Sequence, residues 1–243
     1  MFEALFYALQ SAIAIALPLI IKSRIDKQGE SAKKTFGAGI VVYLLFAVIN
    51  SVVQVVIINS LEITSAVIMN PWVSAIFSGC IFTLCLAVGR VIWIKWILKK
   101  ADKKVDGLVF GTGYAFAMCI VTYALSGIVS CIFAVMKATE STKAVPSVFE
   151  TTAQIVADGN VYTVFLITLQ LILLCVLEIC ISAIFFTSIK KLSGGAFWLL
   201  AVLFSAVAHT FLESPLETEI RLIILAVTTI LSAGVCWHCT KRE

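Results

Sequence analysis

Seven stretches of the chain run apolar almost without interruption, at about 4–21, 36–60, 71–98, 107–136, 161–188, 196–212 and 222–239. Short clusters of charged and turn-forming residues separate them. Each stretch is close to or above the ~18 residues that carry a helix across the roughly 30 Å hydrocarbon core. Lipid leaves no water to satisfy open backbone groups, so spanning segments are helices or closed barrels. A barrel strand alternates apolar and polar positions, and these runs are continuous. The pattern predicts an all-α membrane protein: a bundle of about seven transmembrane helices, with residues 1–243 forming a single polytopic transmembrane domain. No low-complexity linker and no clear internal repeat interrupts it.

Composition agrees. Of 243 residues, 61% are hydrophobic and 13% charged, and mean hydropathy is +1.07. A soluble domain needs more charge than this to stay dispersed. The net charge of +4 is a topology signal, not a nucleic-acid signal. The loops after the first, third and fifth spans, the inner end of the third span and the C-terminal tail hold 14 of the 18 Lys and Arg residues. The other side carries Lys137, Lys143 and Arg221 among eight acids, including Glu3, Glu213, Glu217 and Glu219. Positive residues stay cytoplasmic, which places the N-terminus outside and the C-terminus inside, in a multi-pass plasma-membrane protein. The first span lacks a positive n-region and is expected to be a retained helix, not a cleaved signal.

All eight Cys residues lie inside predicted spans, where free Cys acts as a small apolar residue. Cys236-Trp237-His238-Cys239 reads as a helix end and not as a redox or zinc motif. Trp72, Trp93, Trp96 and Trp237 fall near span ends and read as interface anchors. The longest outer segment, Lys137 to Asn160, is expected to carry a short interfacial helix from Pro146 to Val156.

Intramembrane polar residues are few, and such residues pair, snorkel or function. Arg90 lies roughly 12 Å, and Glu178 roughly 15 Å, from the cytoplasmic end of their spans. An ion pair between them is one reading; a snorkelling Arg90 beside a protonated or hydrogen-bonded Glu178 is the other. His209 and Glu213 share a helix face at i, i+4, either as two metal ligands or as a polar contact near the outer interface, the reading favoured here. Asn50 and Gln54, also at i, i+4, suit interhelical hydrogen bonds. Gly111-Thr112-Gly113 lacks the Lys-Ser/Thr of a phosphate loop and suits close helix packing. No HExxH is present.

The order of these features resembles the YhfC family of intramembrane metallopeptidases, itself similar to the PrsW and CAAX-processing protease group. Asn70-Pro71-Trp72 looks like the opening of that family's third span, and Gly89-Arg90 like the close of its paired-glutamate motif. By the resemblance, two glutamates would stand at Leu86 and Ala87. Gly111-x-Gly113 resembles the start of Gly-x-Gly-His-x-x-x-Glu, with Tyr114 and Met118 in place of the His and Glu. A Glu and a His of the second span appear as Asn50 and Gln54. Glu178 matches a Glu-Arg pair whose Arg is Ile179 here, and a Phe near Phe186 replaces a His. His209 is retained, with Glu213 in place of an Asp and Pro215 after it.

The resemblance therefore implies a frame without most of its metal ligands and proton carriers. No metal or other cofactor is expected, and the mostly apolar replacements predict a filled inner cavity. The leading expectation is a catalytically inactive peptidase-like protein that acts as a binding, scaffold or regulatory subunit. Its partner would be another membrane protein, for instance an ABC-type exporter, or a hydrophobic peptide. The alternatives are a small-molecule transport component and an active protease using Glu178, His209 and Tyr114. The last requires residues whose depths in the sequence differ.

Overall fold

The computed structural model describes residues 2–25, 31–60, 70–139, 156, 161–192 and 196–241. Within them the chain forms α1 (Phe2–Ile25), α2 (Ser31–Ser60), α3 (Pro71–Ile92), α4 (Lys104–Cys119), α5 (Leu125–Ala138), α6 (Val161–Ile189), α7 (Phe197–Leu212) and α8 (Thr218–Lys241). A π-helical turn, Trp93–Ile97, extends α3, and another, Ile120–Ala124, joins α4 to α5. Since α4 and α5 make one span from Lys104 to Ala138, the seven predicted spans are present. Six are long and apolar enough to cross a membrane. The predicted interfacial helix at 146–156 lies, apart from Val156, outside the described residues.

Local chemistry sets several boundaries. Asn70 caps α3: its side-chain oxygen accepts the N–H groups of Trp72 (3.0 Å) and Val73 (3.3 Å), while Pro71 fills the first helical position, where a missing N–H is harmless. At the α4 start, the Asp106 carboxylate accepts the Lys103 N–H at 3.0 Å. Lys190, at the end of α6, donates to the carbonyls of Leu98 (2.6 Å) and Lys99 (3.3 Å). That bond brings the basic ends of α3 and α6 to one side of the bundle. On the other side, Lys137 faces Glu3 at 3.6 Å. The packing therefore groups these helix ends on two sides as the charges predict.

The centre of the bundle is α4, wedged between α2 and α6. Eleven consecutive residues of α6, Leu177 to Thr187, are buried, so its inner half is enclosed on every side. Close approach depends on glycine. A Cβ on Gly113 would overlap the Phe36 carbonyl of α2, and one on Gly111 would lie 2.7 Å from the Ile179 carbonyl of α6. The outer faces are aliphatic, as in Leu9, Val48, Val52, Leu203 and Ile230, which suits contact with lipid tails and not water.

Candidate functional site

The polar core begins at Arg90, whose side chain is fully buried on α3. Its Nη2 pairs with Glu178 Oε2 on α6, and its Nε donates to Ser182 Oγ, one helical turn along, at 3.2 Å. The guanidinium carbon lies 4.1 Å from the Tyr114 ring centroid and 5.7 Å from that of Phe185. Guanidinium stacks on aromatic faces while its fork binds a carboxylate, and here it does both. Of the two sequence readings, the structure adopts the ion pair; Arg90 does not snorkel.

His209 joins this pair. Its Nε2 is 3.6 Å from Glu178 Oε1, and its Nδ1 is 2.8 Å from the Ser205 carbonyl oxygen. A carbonyl only accepts, so Nδ1 carries a proton and Nε2 turns towards the carboxylate. This corrects the expectation of an isolated polar contact near the outer interface. The reason is the length of α7. Its 16 residues rise about 24 Å, short of the roughly 30 Å core, so a residue near its outer end remains inside the membrane. His209 stands about 18 Å along α7, and Glu178 about 17 Å from the inner end of α6. Depths that looked different in the sequence coincide. Tyr114 belongs to the same cluster through Arg90 and meets Tyr43 edge-on at 5.1 Å.

Above this cluster is a cavity of about 390 Å³. Its wall includes the sequence-singled positions Asn50, Gln54, Met118, His209 and Glu213. Leu86, Ala87 and Tyr114, by contrast, are buried in the packed core. The expected filled cavity is thus half right in residues and wrong in outcome. The apolar replacements are packed solid, but the amides of α2 and the outer half of α7 leave space. Asn50 and Gln54 also differ from the interhelical expectation: Gln54 Nε2 donates to Asn50 Oδ1 at 3.2 Å, within α2.

Five polar wall residues escaped the sequence reading: Tyr43, Ser78, Thr122, Tyr123 and Gln170 line the same cavity. The Tyr43 and Thr122 hydroxyls are 3.4 Å apart, and Gln170 Nε2 donates to the Tyr123 hydroxyl at 3.1 Å. Thr122 and Tyr123 lie in the π turn Ile120–Ala124. Such turns interrupt helices at functional sites, and no Pro or Gly in this one announced it. Gln170, a lone amide in an apolar run, was the available signal.

The donor set does not make a metal cage. Glu178 Oε1 and His209 Nε2 face each other, but among the described residues no third His, Cys, Asp or Glu completes a group that could hold a metal ion. Zinc sites take three or four such ligands, and the other oxygen of Glu178 already pairs with a guanidinium. What the cavity offers instead, among the described residues, is mainly uncharged hydrogen bonding: three carboxamides and four hydroxyls, with one carboxylate at Glu213.

The fold and site define a polytopic helical membrane protein with a polar chamber built around a buried Arg–Glu–His cluster. The chain belongs to the YhfC intramembrane metalloprotease family, whose model matches residues 13–231. It is similar to the uncharacterized membrane protein YhfC of Bacillus subtilis (strain 168), with 28% identity over 134 residues, 53% of this chain and 50% of that protein. The match thus spans about half the length of the curated relative. No solved structure matches the chain.

Proposed function

We propose that this chain is a non-catalytic member of its family that holds a hydrophobic peptide, or the end of a membrane-protein partner, in the 390 Å³ cavity. One observation carries the reading. Where a metal-assisted hydrolytic site needs a ligand set that activates a water, the cluster's carboxylate is engaged by Arg90, and the open space above it is walled chiefly by amides and hydroxyls, with Glu213 as its one carboxylate among the described residues. Those groups complement peptide amides without polarising them. Partners of the exporter class remain the first to seek, because the role is that of a binding or regulatory subunit.

Four measurements on the purified chain in detergent or nanodiscs test this. A fluorescent apolar peptide is expected to bind, and Ser78→Phe, which fills the cavity from α3, to abolish binding without unfolding the protein. Stoichiometric zinc that disappears in His209→Ala would overturn the non-catalytic reading, as would cleavage of a peptide reporter that disappears in Glu178→Gln. The second outcome would favour the protease alternative, which draws support from the closeness of Glu178 and His209. A tightly held small molecule in the purified protein, displaced by no peptide, would favour the transport alternative.

A further inference from the structure

We infer that the cavity receives the free N-terminal end of its peptide, with the α-ammonium at Glu213; this rests on the peptide-binding reading and deepens it. Size is the first ground. A cavity of about 390 Å³ admits a few residues of extended chain, and a chain end enters such a space without the backbone having to leave it again.

Charge is the second ground, and it selects which end. Among the described residues the wall contains one carboxylate, Glu213, and neither Lys nor Arg. Glu213 has no ion-pair partner among the described residues. It stands at the C-cap of α7, where the helix dipole is negative and cations are favoured. Behind the wall, Arg90 and Glu178 offset one another. Arg221, on α8, directs its Nη atoms to the Leu212 carbonyl at 3.0 Å and the Thr218 hydroxyl at 3.1 Å. The local field thus favours an ammonium over a carboxylate.

Hydrogen-bond accounting is the third ground. After the internal bonds Gln54–Asn50, Gln170–Tyr123 and Tyr43–Thr122, the wall still offers the Asn50 amide donors, the Tyr123 and Ser78 hydroxyls, one hydroxyl proton of the Tyr43–Thr122 pair, and the carbonyl oxygens of Gln54 and Gln170. Together they supply the kinds of donor and acceptor that the first one or two peptide units after an amino terminus require. Deeper still, Glu178 Oε1 is a buried acceptor with no hydrogen bond, 3.6 Å from His209 Nε2.

The test uses the full chain in nanodiscs and two fluorescent peptides of one apolar sequence, one with a free and one with an acetylated N-terminus. The free form is expected to bind about tenfold more tightly. Glu213→Gln is expected to bring the free form to the level of the acetylated one, to leave the acetylated form unchanged, and to leave thermal unfolding unchanged. Equal binding of both peptides, unaffected by Glu213→Gln but lost in Ser78→Phe, would overturn the amine inference and leave peptide binding standing. Failure of both peptides to bind would overturn the peptide reading itself.

Discussion

Replacing Arg90 by Met should unmask how much of the bundle's stability hangs on one buried pair. Arg90 and Glu178 are both fully buried, and Arg90 also bonds Ser182 at 3.2 Å and stacks on Tyr114 at 4.1 Å. Met keeps much of the volume and none of the charge. Glu178 is then left in a membrane interior without its cation, and removing one partner of a buried pair typically destabilises by about 3–5 kcal/mol. The ring contact adds about 1–2 kcal/mol more at a desolvated site. Replacing both partners, as in Arg90→Met with Glu178→Leu, removes both desolvation penalties, and such swaps are commonly neutral or stabilising by about 1–4 kcal/mol. The double variant is therefore expected to be several kcal/mol more stable than either single one. Equilibrium unfolding of the four proteins in mixed micelles with increasing SDS measures this as a double-mutant cycle. Two results would refute the reasoning: Arg90→Met within about 1 kcal/mol of the parent, or a double variant as unstable as the two single losses added together.

Tyr114→Phe removes a buried hydroxyl that has no hydrogen-bond partner and keeps the ring under Arg90; stability should stay level or rise by up to about 1–3 kcal/mol, read by the same SDS titration. Gly113→Ala meets the Phe36 carbonyl, whereas Gly234→Ala meets nothing within 4 Å. The first should lower the thermal unfolding temperature clearly, and the second should raise stability by about 0.5–1 kcal/mol through helix propensity. In intact cells, a membrane-impermeant maleimide should label Glu217→Cys and leave Lys100→Cys unlabelled until the membrane is opened; the reverse pattern would overturn the orientation.

Much of this protein was legible along the chain because lipid is a demanding solvent. Continuous apolar runs separated by lysines dictate the number of spans, and the asymmetry of Lys22, Lys99, Lys100 and Lys190 against Glu3 and Glu217 dictates orientation, since both follow from transfer energies of single residues. The close packing at Gly111 and Gly113 was legible for a similar reason: small residues in an apolar helix mark where backbones meet.

Tertiary structure alone decided the site. Arg90, Tyr114, Glu178 and His209 come from four helices far apart in sequence, and whether they meet depends on differences of a few ångströms in depth. Span prediction blurs boundaries by several residues, which at 1.5 Å each is as large as the effect itself. The short α7 that lowers His209 to Glu178, and the π turn that carries Thr122 and Tyr123 into the cavity wall, are consequences of how neighbouring helices pack. The sequence by itself determined a seven-span bundle with a sparse polar interior. Only packing, which sets relative depth and rotation, decided that those polar residues gather around an open chamber instead of being sealed one by one.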